Sequence, residues 1–256
     1  MQLVVDVGNT ETVVGLVEGR TDLKAHWRIS TGVPRTVDEY GHLLGALIRE
    51  AGQTAPSSAV VASVVPDATA VLVPTLAHLV DGPVRVVGPD SKLSIRLDVE
   101  EPRTVGADRI VNTLAARELY GRDTIAVDLG TATTFDLITA DGVFMGGVIA
   151  PGLSAGLEWL GRRTAKLPRV ELVPPAACIG RRTETCIQSG IFYSAVDGVD
   201  GVVRRIIAEW GRRDPYVVAT GGFATVIGPH CATVQHIEPF LTLYGLAIAG
   251  EELART

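Results

Sequence analysis

The sequence predicts an α/β fold built from two related halves. Two observations carry this prediction: apolar strand-like runs alternate with helix-like segments, and one short motif occurs twice. Residues 4–12 and 126–134 each read as an apolar strand that ends in Asp, followed by one residue, a Gly, and small hydroxyl or amide residues. The two acids, Asp6 and Asp128, are 122 positions apart in a chain of 256 residues. The repeat therefore predicts two halves, each of which offers one β-hairpin turn to a single polyanionic ligand.

The first half reads as an alternation of strands and helices. Its predicted strands are residues 3–7, 13–17, 25–29, 59–65 and 84–87. The helix after the third strand begins at a capping box, in which Thr36 precedes Glu39 by three residues, and it ends at Gly52. The next helix is predicted to be weaker and to be interrupted at Pro74, because proline lacks the N–H that an interior helical position donates.

The second half repeats this opening order. Its predicted strands are a three-stranded meander and one later strand, at residues 124–128, 133–139, 143–149 and 216–220. A helix is predicted directly after Pro151-Gly152, a second over about residues 185–210, and a last one from about residue 240. The boundary is expected near residues 118–123, which gives an N-terminal domain of residues 1–118 and a C-terminal domain of residues 119–256.

Composition and charge argue against several classes of function. The chain is 46% hydrophobic and 20% charged, as globular proteins are. Its net charge of −6 argues against a nucleic-acid partner, which would need a basic patch. No apolar run approaches the roughly 18 residues of a membrane span, and no signal peptide is visible. The three cysteines lack paired spacing, and the histidines lack ligand spacing. We therefore expect a cytoplasmic protein with free thiols, no membrane partner and no zinc site.

The repeated motif suits the binding of phosphate groups. Glycine lets the backbone approach a phosphate closely, and successive turn amides form a concavity that binds anions. A carboxylate at the end of the strand would repel phosphate unless a cation such as Mg²⁺ lies between them. One copy of such a string is usually an ordinary hairpin, but two copies after apolar strands favour the functional interpretation. The sequence contains no Walker motif and no G-x-G string, so the hairpins are its candidate phosphate sites.

Two further strings have both a structural and a functional interpretation. Gly106-Ala107-Asp108-Arg109 precedes a segment with apolar residues at helical spacing. Asp108 is expected to be an N-cap, and its carboxylate is also suited to accept a hydroxyl proton while Arg109 orients an anion. The two interpretations are compatible. Gly221-Gly222 is either a simple tight turn or a place where an adenosine passes close to the backbone.

Several motifs, in their order along the chain, resemble those of the type III pantothenate kinases. They are Asp6-Val7-Gly8-Asn9-Thr10, Gly106-Ala107-Asp108-Arg109, Asp128-Leu129-Gly130-Thr131-Ala132-Thr133-Thr134-Phe135-Asp136, Gly146-Gly147-Val148-Ile149-Ala150-Pro151-Gly152, Thr164-Ala165-Lys166-Leu167-Pro168, Ile179-Gly180-Arg181-Arg182-Thr183 and Gln188-Ser189-Gly190. That family belongs to the actin, sugar-kinase and heat-shock-ATPase superfamily. The resemblance runs from residue 3 to about residue 225. It implies two related actin-like (ribonuclease-H-like) α/β lobes with a nucleotide cleft between them.

The resemblance implies ATP-dependent phosphorylation of pantothenate to 4'-phosphopantothenate, the first step of coenzyme A biosynthesis. By this resemblance Asp108 is the general base. The implied pantothenate-binding residues are Val99, Gly106, Ala107, Arg109 and, donated across a homodimer, Thr183. The implied ATP-binding residues are Asp6, Val7, Gly8, Asn9, Thr10, Gly130, Thr131, Thr133, Gly221 and Gly222. Asp6 would also position Mg²⁺ through water, and Asp128 would bind a monovalent cation, K⁺ or NH₄⁺.

Three positions depart from the family pattern. Val99 lies in Val99-Glu100-Glu101-Pro102, where many members have Tyr-Asp-Asn-Pro, so an aromatic contact with pantothenate is expected to be absent. Glu11 places an additional carboxylate beside the first hairpin, and Ser194 stands where glycine is common. We expect these differences to change affinity more than the type of reaction.

Two alternatives remain open at this point. The first is another kinase on the same superfamily fold, such as a sugar or acetate kinase; those proteins are generally longer, and the string around Asp108 does not resemble theirs. The second is a non-catalytic, nucleotide-binding regulatory member of the same family. The presence of Asp6, Asp108 and Asp128 together argues against the second.

Overall fold

The structure contains two mixed β-sheets, each built around a strand that carries one of the two repeated Asp residues. The computed structural model describes residues 1–164 and 166–255. The first part of the chain forms β1 (Gln2–Val7), β2 (Glu11–Glu18), β3 (Asp22–Ser30), α1 (Val37–Glu50), β4 (Ser58–Ser63), α2 (Pro66–Leu79), β5 (Val84–Val87), β6 (Arg96–Leu97) and α3 (Ala107–Tyr120). The second part forms β7 (Thr124–Leu129), β8 (Ala132–Ile138), β9 (Val143–Pro151), α4 (Leu153–Arg163), α5 (Thr183–Trp210), β10 (Tyr216–Thr220), α6 (Ala224–Ile227), β11 (His236–Ile237) and α7 (Leu241–Leu253).

The two sheets repeat one strand order. The first runs β3-β2-β1-β4-β5, and five strands of the second run β9-β8-β7-β10-β11, with β6 added beside β9. In both sheets the central strand pairs antiparallel with the strand that follows it, and parallel with a later strand reached through helices. The prediction of two related α/β halves is therefore confirmed at the level of topology.

Each sheet has its own apolar core. The first packs Leu3, Val5 and Leu16 against Tyr40 and Leu44 of α1. The second packs strands β7, β8 and β10 against α5 and α6, with these fully or nearly fully buried side chains at its centre: Ile125, Val127, Phe135, Phe192, Val199, Val203 and Val217. The central strands β1 and β7 are buried along most of their length, which is expected of strands covered on both faces.

The chain divides into two compact units that are not continuous in sequence. The N-terminal unit contains residues 1–121 and 141–144 and the segment from Leu241 onward. The C-terminal unit contains residues 122–140 and 145–240. The expected domains, residues 1–118 and 119–256, were continuous segments, whereas residues 141–144 and α7 belong to the N-terminal unit. The boundary between folding domains stays a prediction.

Most predicted elements lie where the sequence placed them. The capping box at Thr36 and Glu39 is present, with both reciprocal hydrogen bonds, and Gly52 follows α1 with a φ of +64°. The prediction that Pro74 interrupts its helix is wrong, because α2 continues through it from Pro66 to Leu79. Residues 72 and 75–76, on both sides of this proline, are buried, so packing on the core offsets the one missing backbone hydrogen bond.

Helix α7 packs on the N-terminal sheet and on α3. A side chain at Gly245 would overlap the backbone of Val111, so the two helices are in backbone contact there. Thr242 and the buried Asn112 join the same pair of helices through a 2.9 Å hydrogen bond between their side chains. These contacts fix the position of α3, the helix that begins at the Asp108 string.

Candidate functional site

The first repeated motif forms the turn between β1 and β2. The Gly8 amide donates to the Glu11 carbonyl at 3.0 Å, which closes the turn, and the Thr31 amide donates to the Thr10 carbonyl at 3.0 Å. Val7 is buried, whereas Asn9 and Thr10 are exposed at the tip. The turn therefore presents small polar residues and backbone groups to the surroundings, as a phosphate-binding turn does.

Asp6 lies one residue before the end of β1 and is half-buried. Its backbone is held between two strands, opposite Val13 of β2 and Ala62 of β4. This pairing on both sides fixes the direction of its side chain relative to the turn. A carboxylate oxygen in such a place is a suitable ligand for a hard cation such as Mg²⁺.

The second motif forms the turn between β7 and β8, which is one residue shorter. The Gly130 amide donates to the Ala132 carbonyl at 3.1 Å. Thr131 is exposed at the tip, and Thr133 is buried. Asp128 occupies the place of Asp6, because it too is the penultimate residue of a central strand.

Two other segments of the C-terminal unit meet this second turn. Gly221 has a φ of +88°, and a side chain there would overlap Asp128 Oδ1 and lie 2.9 Å from the Leu129 nitrogen. The Phe223 amide donates to the Leu129 carbonyl at 3.0 Å. The Gly221-Gly222 turn therefore lies directly against the end of β7, and glycine is required because no Cβ fits.

Gly152 completes this cluster; the sequence placed it at a helix start and at the end of the Gly146–Gly152 motif, without a role at the turn. It is the N-cap of α4, and a side chain there would overlap the carbonyl oxygens of Thr131 and Gly130. The sequence signal was the Pro151-Gly152 string itself. Its role at the turn was missed because the close approach is between segments that are distant along the chain.

Asp108 lies at the start of α3, but not as its cap. The N-cap is Gly106, and Asp108 is the second residue of the helix, so the prediction of an Asp108 N-cap is wrong. Its Oδ1 accepts the backbone amide of Arg109 at 2.8 Å. A side chain at Gly106 would overlap that same oxygen. The glycine is thus what allows the carboxylate to fold back over the helix start.

The helix start that carries Asp108 is linked to the first turn through Val64. The Val64 amide donates to the Val7 carbonyl at 3.1 Å. The Val64 Cγ1 lies 3.5 Å from where a Gly106 Cβ would be. Within the N-terminal unit the structure therefore brings the β1–β2 turn and the Asp108 string to one edge of the sheet.

Two further residues of the predicted pantothenate site, Ala107 and Arg109, lie in the first turn of this helix. The Arg109 guanidinium lies over the ring of the buried Phe144, 4.9 Å from its centroid, which restrains its orientation. Ala107 is buried as the first residue of α3, and Val99 is half-buried in the segment before it. The start of α3 therefore offers a carboxylate, a guanidinium and a buried apolar residue.

Thr183 is the first residue of α5 and is exposed. It belongs to the C-terminal unit, in contrast to the other predicted pantothenate-binding residues. The string Thr164-Ala165-Lys166-Leu167-Pro168 precedes this region, and Ala165 lies outside the described residues.

Asp200 anchors the segment that follows α6. Its carboxylate accepts the amides of Ala232 and Thr233 at 2.9 Å each and the Thr233 hydroxyl at 2.7 Å, and Arg204 lies 3.2 Å away. Burial tends to raise the pKa of Asp200, but the hydrogen bonds and Arg204 together hold that pKa below its usual value. The neighbouring Cys231 thiol is buried, and burial raises its pKa to about 12.

Asp6 and Asp128 are the candidate cation ligands of the structure. In the part of the chain that the structure describes, no group of three His, Cys, Asp or Glu side chains could hold a metal ion by itself, and no helix has the length and apolar character needed to span a membrane. Asp128 Oδ1 also lies 3.2 Å from where a Gly130 Cβ would be. This oxygen is held against the backbone of two glycines, and oxygen donors suit hard cations.

Comparison with solved structures shows the fold. A conserved protein from Campylobacter jejuni, named as a candidate Baf family transcriptional activator, aligns with a TM-score of 0.62 at 15% identity, covering 99% of this chain and 100% of the other. A ROK family glucokinase from Streptomyces griseus, solved with glucose and AMPPNP, aligns with a TM-score of 0.53 at 13% identity, covering 100% and 99%. The predicted fold class, two related actin-like lobes as in the sugar kinases, is confirmed.

Comparison with sequences shows the family. The family model described as "Type III pantothenate kinase" matches residues 2–205. The type III pantothenate kinase of Moorella thermoacetica is 45% identical over 253 residues, which are 98% of this chain and 99% of that protein. The matched residues 2–205 span the two repeated turns, the Asp108 string and Thr183. The chain therefore belongs to the type III pantothenate kinase family.

Proposed function

We propose that this chain transfers the terminal phosphoryl group of ATP to the primary hydroxyl of pantothenate, giving 4'-phosphopantothenate for coenzyme A biosynthesis. The observation that supports this most directly is the position of Asp108 in a chain of this family. Its carboxylate is fixed at the start of α3, on the same sheet edge as the β1–β2 turn. A general base must lie close to the phosphate-binding turn, and the carboxylate of Asp108 is on that edge of the sheet.

In this proposal Asp108 accepts the hydroxyl proton as the new phosphorus–oxygen bond forms. Its Oδ1 already accepts the Arg109 amide at 2.8 Å, so Oδ2 is the oxygen assigned to the proton. Gly106, Ala107 and Val99 would contact the body of pantothenate, and Arg109 would bind its carboxylate. Phosphoryl transfer depends mainly on alignment and on neutralising charge, and a fixed carboxylate beside a fixed guanidinium serves the first requirement.

The two turns would hold the nucleotide. We assign the phosphates to Gly8, Asn9 and Thr10 in one unit and to Gly130, Thr131 and Thr133 in the other. Val7 is buried and supports the first turn from the core. The backbone of Gly221 and Gly222 would contact the adenosine. Each turn offers backbone amides and hydroxyl or amide side chains, which stabilise phosphate oxygens.

Two cations are part of the proposal. Mg²⁺ and K⁺ or NH₄⁺ would neutralise charge on the phosphate oxygens. Asp6 would hold Mg²⁺ through water, since magnesium in kinases keeps several waters and few protein ligands. Asp128 would hold the monovalent cation, because its Oδ1 lies against Gly130 and Gly221.

The experiment is a coupled ADP-release assay on the purified chain, with Mg²⁺ and with K⁺ present or absent. Turnover that requires both pantothenate and K⁺ is expected. Asp108→Asn is expected to retain the wild-type melting temperature and to lose about 10²–10⁴-fold in kcat, the range of a general base. Full activity of that variant would remove Asp108 as the base. A folded wild-type chain that is inert under these conditions would refute the enzyme and favour a nucleotide-binding regulator.

We also propose a homodimer, in which the partner subunit's Thr183 completes each pantothenate site. In its support, large apolar side chains of the C-terminal unit are exposed: Ile149 is 64% exposed, Trp159 61% and Ile179 84%. Thr183 itself is exposed at the start of α5. The cytoplasmic location remains a prediction.

Complementation between two inactive variants tests the shared site. Mixing Asp108→Asn with Thr183→Ala, after dissociation and reassociation, produces heterodimers in which one of the two sites has both native residues. Recovery of activity is expected if Thr183 acts across the interface. If Thr183 acts within its own subunit, the mixture stays as inactive as its components.

A further inference from the structure

A pair of hydroxyl groups joins the end of β4 to the first turns of α2. Thr69 Oγ1 lies 2.6 Å from Ser63 Oγ and 2.9 Å from the Val65 carbonyl oxygen. Ser63 Oγ accepts the Val65 amide at 3.0 Å. Val65 is the N-cap of α2 and has no side-chain cap of its own, so the pair holds the backbone of this N-cap residue, its amide through Ser63 and its carbonyl through Thr69.

Val64 lies between Ser63 and the Val65 backbone that the pair holds. It links the β1–β2 turn to the helix start with Asp108. Ser63 lies opposite Val7 in the parallel pairing of β1 with β4, and the Val64 amide donates to the Val7 carbonyl at 3.1 Å. The Val64 side chain packs toward Gly106. One residue therefore contacts both parts of the candidate site in the N-terminal unit.

We infer that Ser63 and Thr69 are positioning residues for phosphoryl transfer, because they fix Val64 and through it the distance between the β1–β2 turn and Asp108. This inference rests on the proposed function. Val64 has no polar side chain with which to hold its own position. Its backbone is restrained on one side by Val7 and on the other by the Ser63–Thr69 pair. Without the pair, the segment between β4 and α2 loses its acceptor for the Val65 amide and is free to shift.

The expected effect is on turnover rather than on substrate binding. Each turn still binds its own ligand if Val64 shifts, so the KM values for ATP and pantothenate stay close to wild type. The alignment of the proton acceptor with the phosphates changes, and small misplacements of reacting groups lower the rate strongly. Loss of one such hydrogen bond predicts a decrease in kcat of about fivefold or more.

Helix α2 offers a matched control. Thr69 and Thr75 both direct their hydroxyl groups to the carbonyl four residues earlier, at 2.9 Å and 2.8 Å, but only Thr69 contacts Ser63. Thr69→Val is expected to lower kcat by the factor above, whereas Thr75→Val should leave kcat within about twofold of wild type, as expected of a hydroxyl without a link to the site. Thr69→Ser, which keeps the hydroxyl, should restore turnover. The kcat of the double variant Ser63→Ala with Thr69→Val should be no lower than that of the less active single variant, because the two hydroxyl groups act as one unit.

Amide hydrogen exchange on the same samples tests the inference without turnover. Faster exchange is expected in residues 104–110 of Thr69→Val, but not of Thr75→Val, because only the first variant removes the hydroxyl that fixes Ser63, the acceptor of the Val65 amide next to Val64. Equal kcat values in the two variants, or equal exchange at residues 104–110, would overturn the positioning role. A wild-type chain that exchanges as expected but does not phosphorylate pantothenate would instead refute the proposed function and leave the structural link intact.

Discussion

Replacing Gly106 by alanine tests the proposed role of Asp108 by displacing its carboxylate without removing it. The backbone of Gly106, with φ −60° and ψ 144°, is one that alanine adopts readily. The added methyl group would overlap Asp108 Oδ1 and would lie 3.5 Å from both Asp108 Cγ and Val64 Cγ1. The backbone and the valine can accept the methyl group, but the carboxylate oxygen must move.

The size of the effect follows from that displacement. To reach ordinary contact the oxygen must withdraw by about 1 Å, and a displacement of this size costs about 100-fold in rate. This corresponds to about 2.7 kcal/mol of transition-state stabilisation. We therefore expect Gly106→Ala to lower kcat about 100-fold in the ADP-release assay. The melting temperature should change little, since the displaced group is half-buried and can turn toward solvent.

Gly88→Ala is the matched control for this prediction. Gly88 lies in the same unit, and a Cβ there would have no atom within 4 Å. Its variant should keep kcat within about twofold of wild type, as surface substitutions usually do. If Gly106→Ala retained more than about a third of the activity, the carboxylate position would not control the reaction. A loss of activity that parallels unfolding would also contradict this prediction, because the expected loss comes from a displaced carboxylate in a folded protein.

Three further predictions concern the C-terminal unit. Gly221→Ala, at a φ of +88°, should raise the KM for ATP and lower stability by about 1–3 kcal/mol, as measured by nucleotide titration and denaturant unfolding. Asp200→Asn should lower the free energy of unfolding at pH 7 by about 1–3 kcal/mol. Because the pKa of Asp200 is lowered on folding, its contribution is complete at neutral pH and is lost as the pH falls through that lowered pKa, so wild type and variant should converge in acid and diverge toward pH 7. Cys231, with its raised pKa of about 12, should react with a thiol reagent at pH 8 only after unfolding, whereas the exposed Cys178 and Cys186 should react in the native protein.

The parts of the fold that the sequence predicted best are those with a local cause. The two hairpins follow from apolar strands that end in Asp, then Gly and small polar residues, and both turns close at their glycines, Gly8 and Gly130. Helix α1 begins where Thr36 and Glu39 form their capping box. These features depend on contacts between residues within a few positions of each other, which a sequence pattern records directly.

The features that the sequence did not reveal depend on tertiary contacts. Pro74 lies inside α2 because the residues around it are buried on the core, and burial outweighs one missing hydrogen bond. Asp108 is not a cap because Gly106 holds that position and the carboxylate turns back on Arg109. The short strands β6 and β11 have two residues each, too few for a periodic pattern to appear.

The assignment of α7 to the N-terminal unit has the most consequence for the site. Because the two sheets share one strand order, α3 after β5 and α7 after β11 occupy equivalent places in the repeat, yet both belong to the N-terminal unit. A repeat in sequence predicts two equal and continuous halves, so it cannot show that the last helix of one half packs on the other. The backbone contact at Gly245 is what makes this packing possible. Helix α3 therefore packs against both α7 and β4. These contacts hold the helix that carries Asp108 in place, and a catalytic carboxylate needs such support because it must be positioned within a fraction of an ångström.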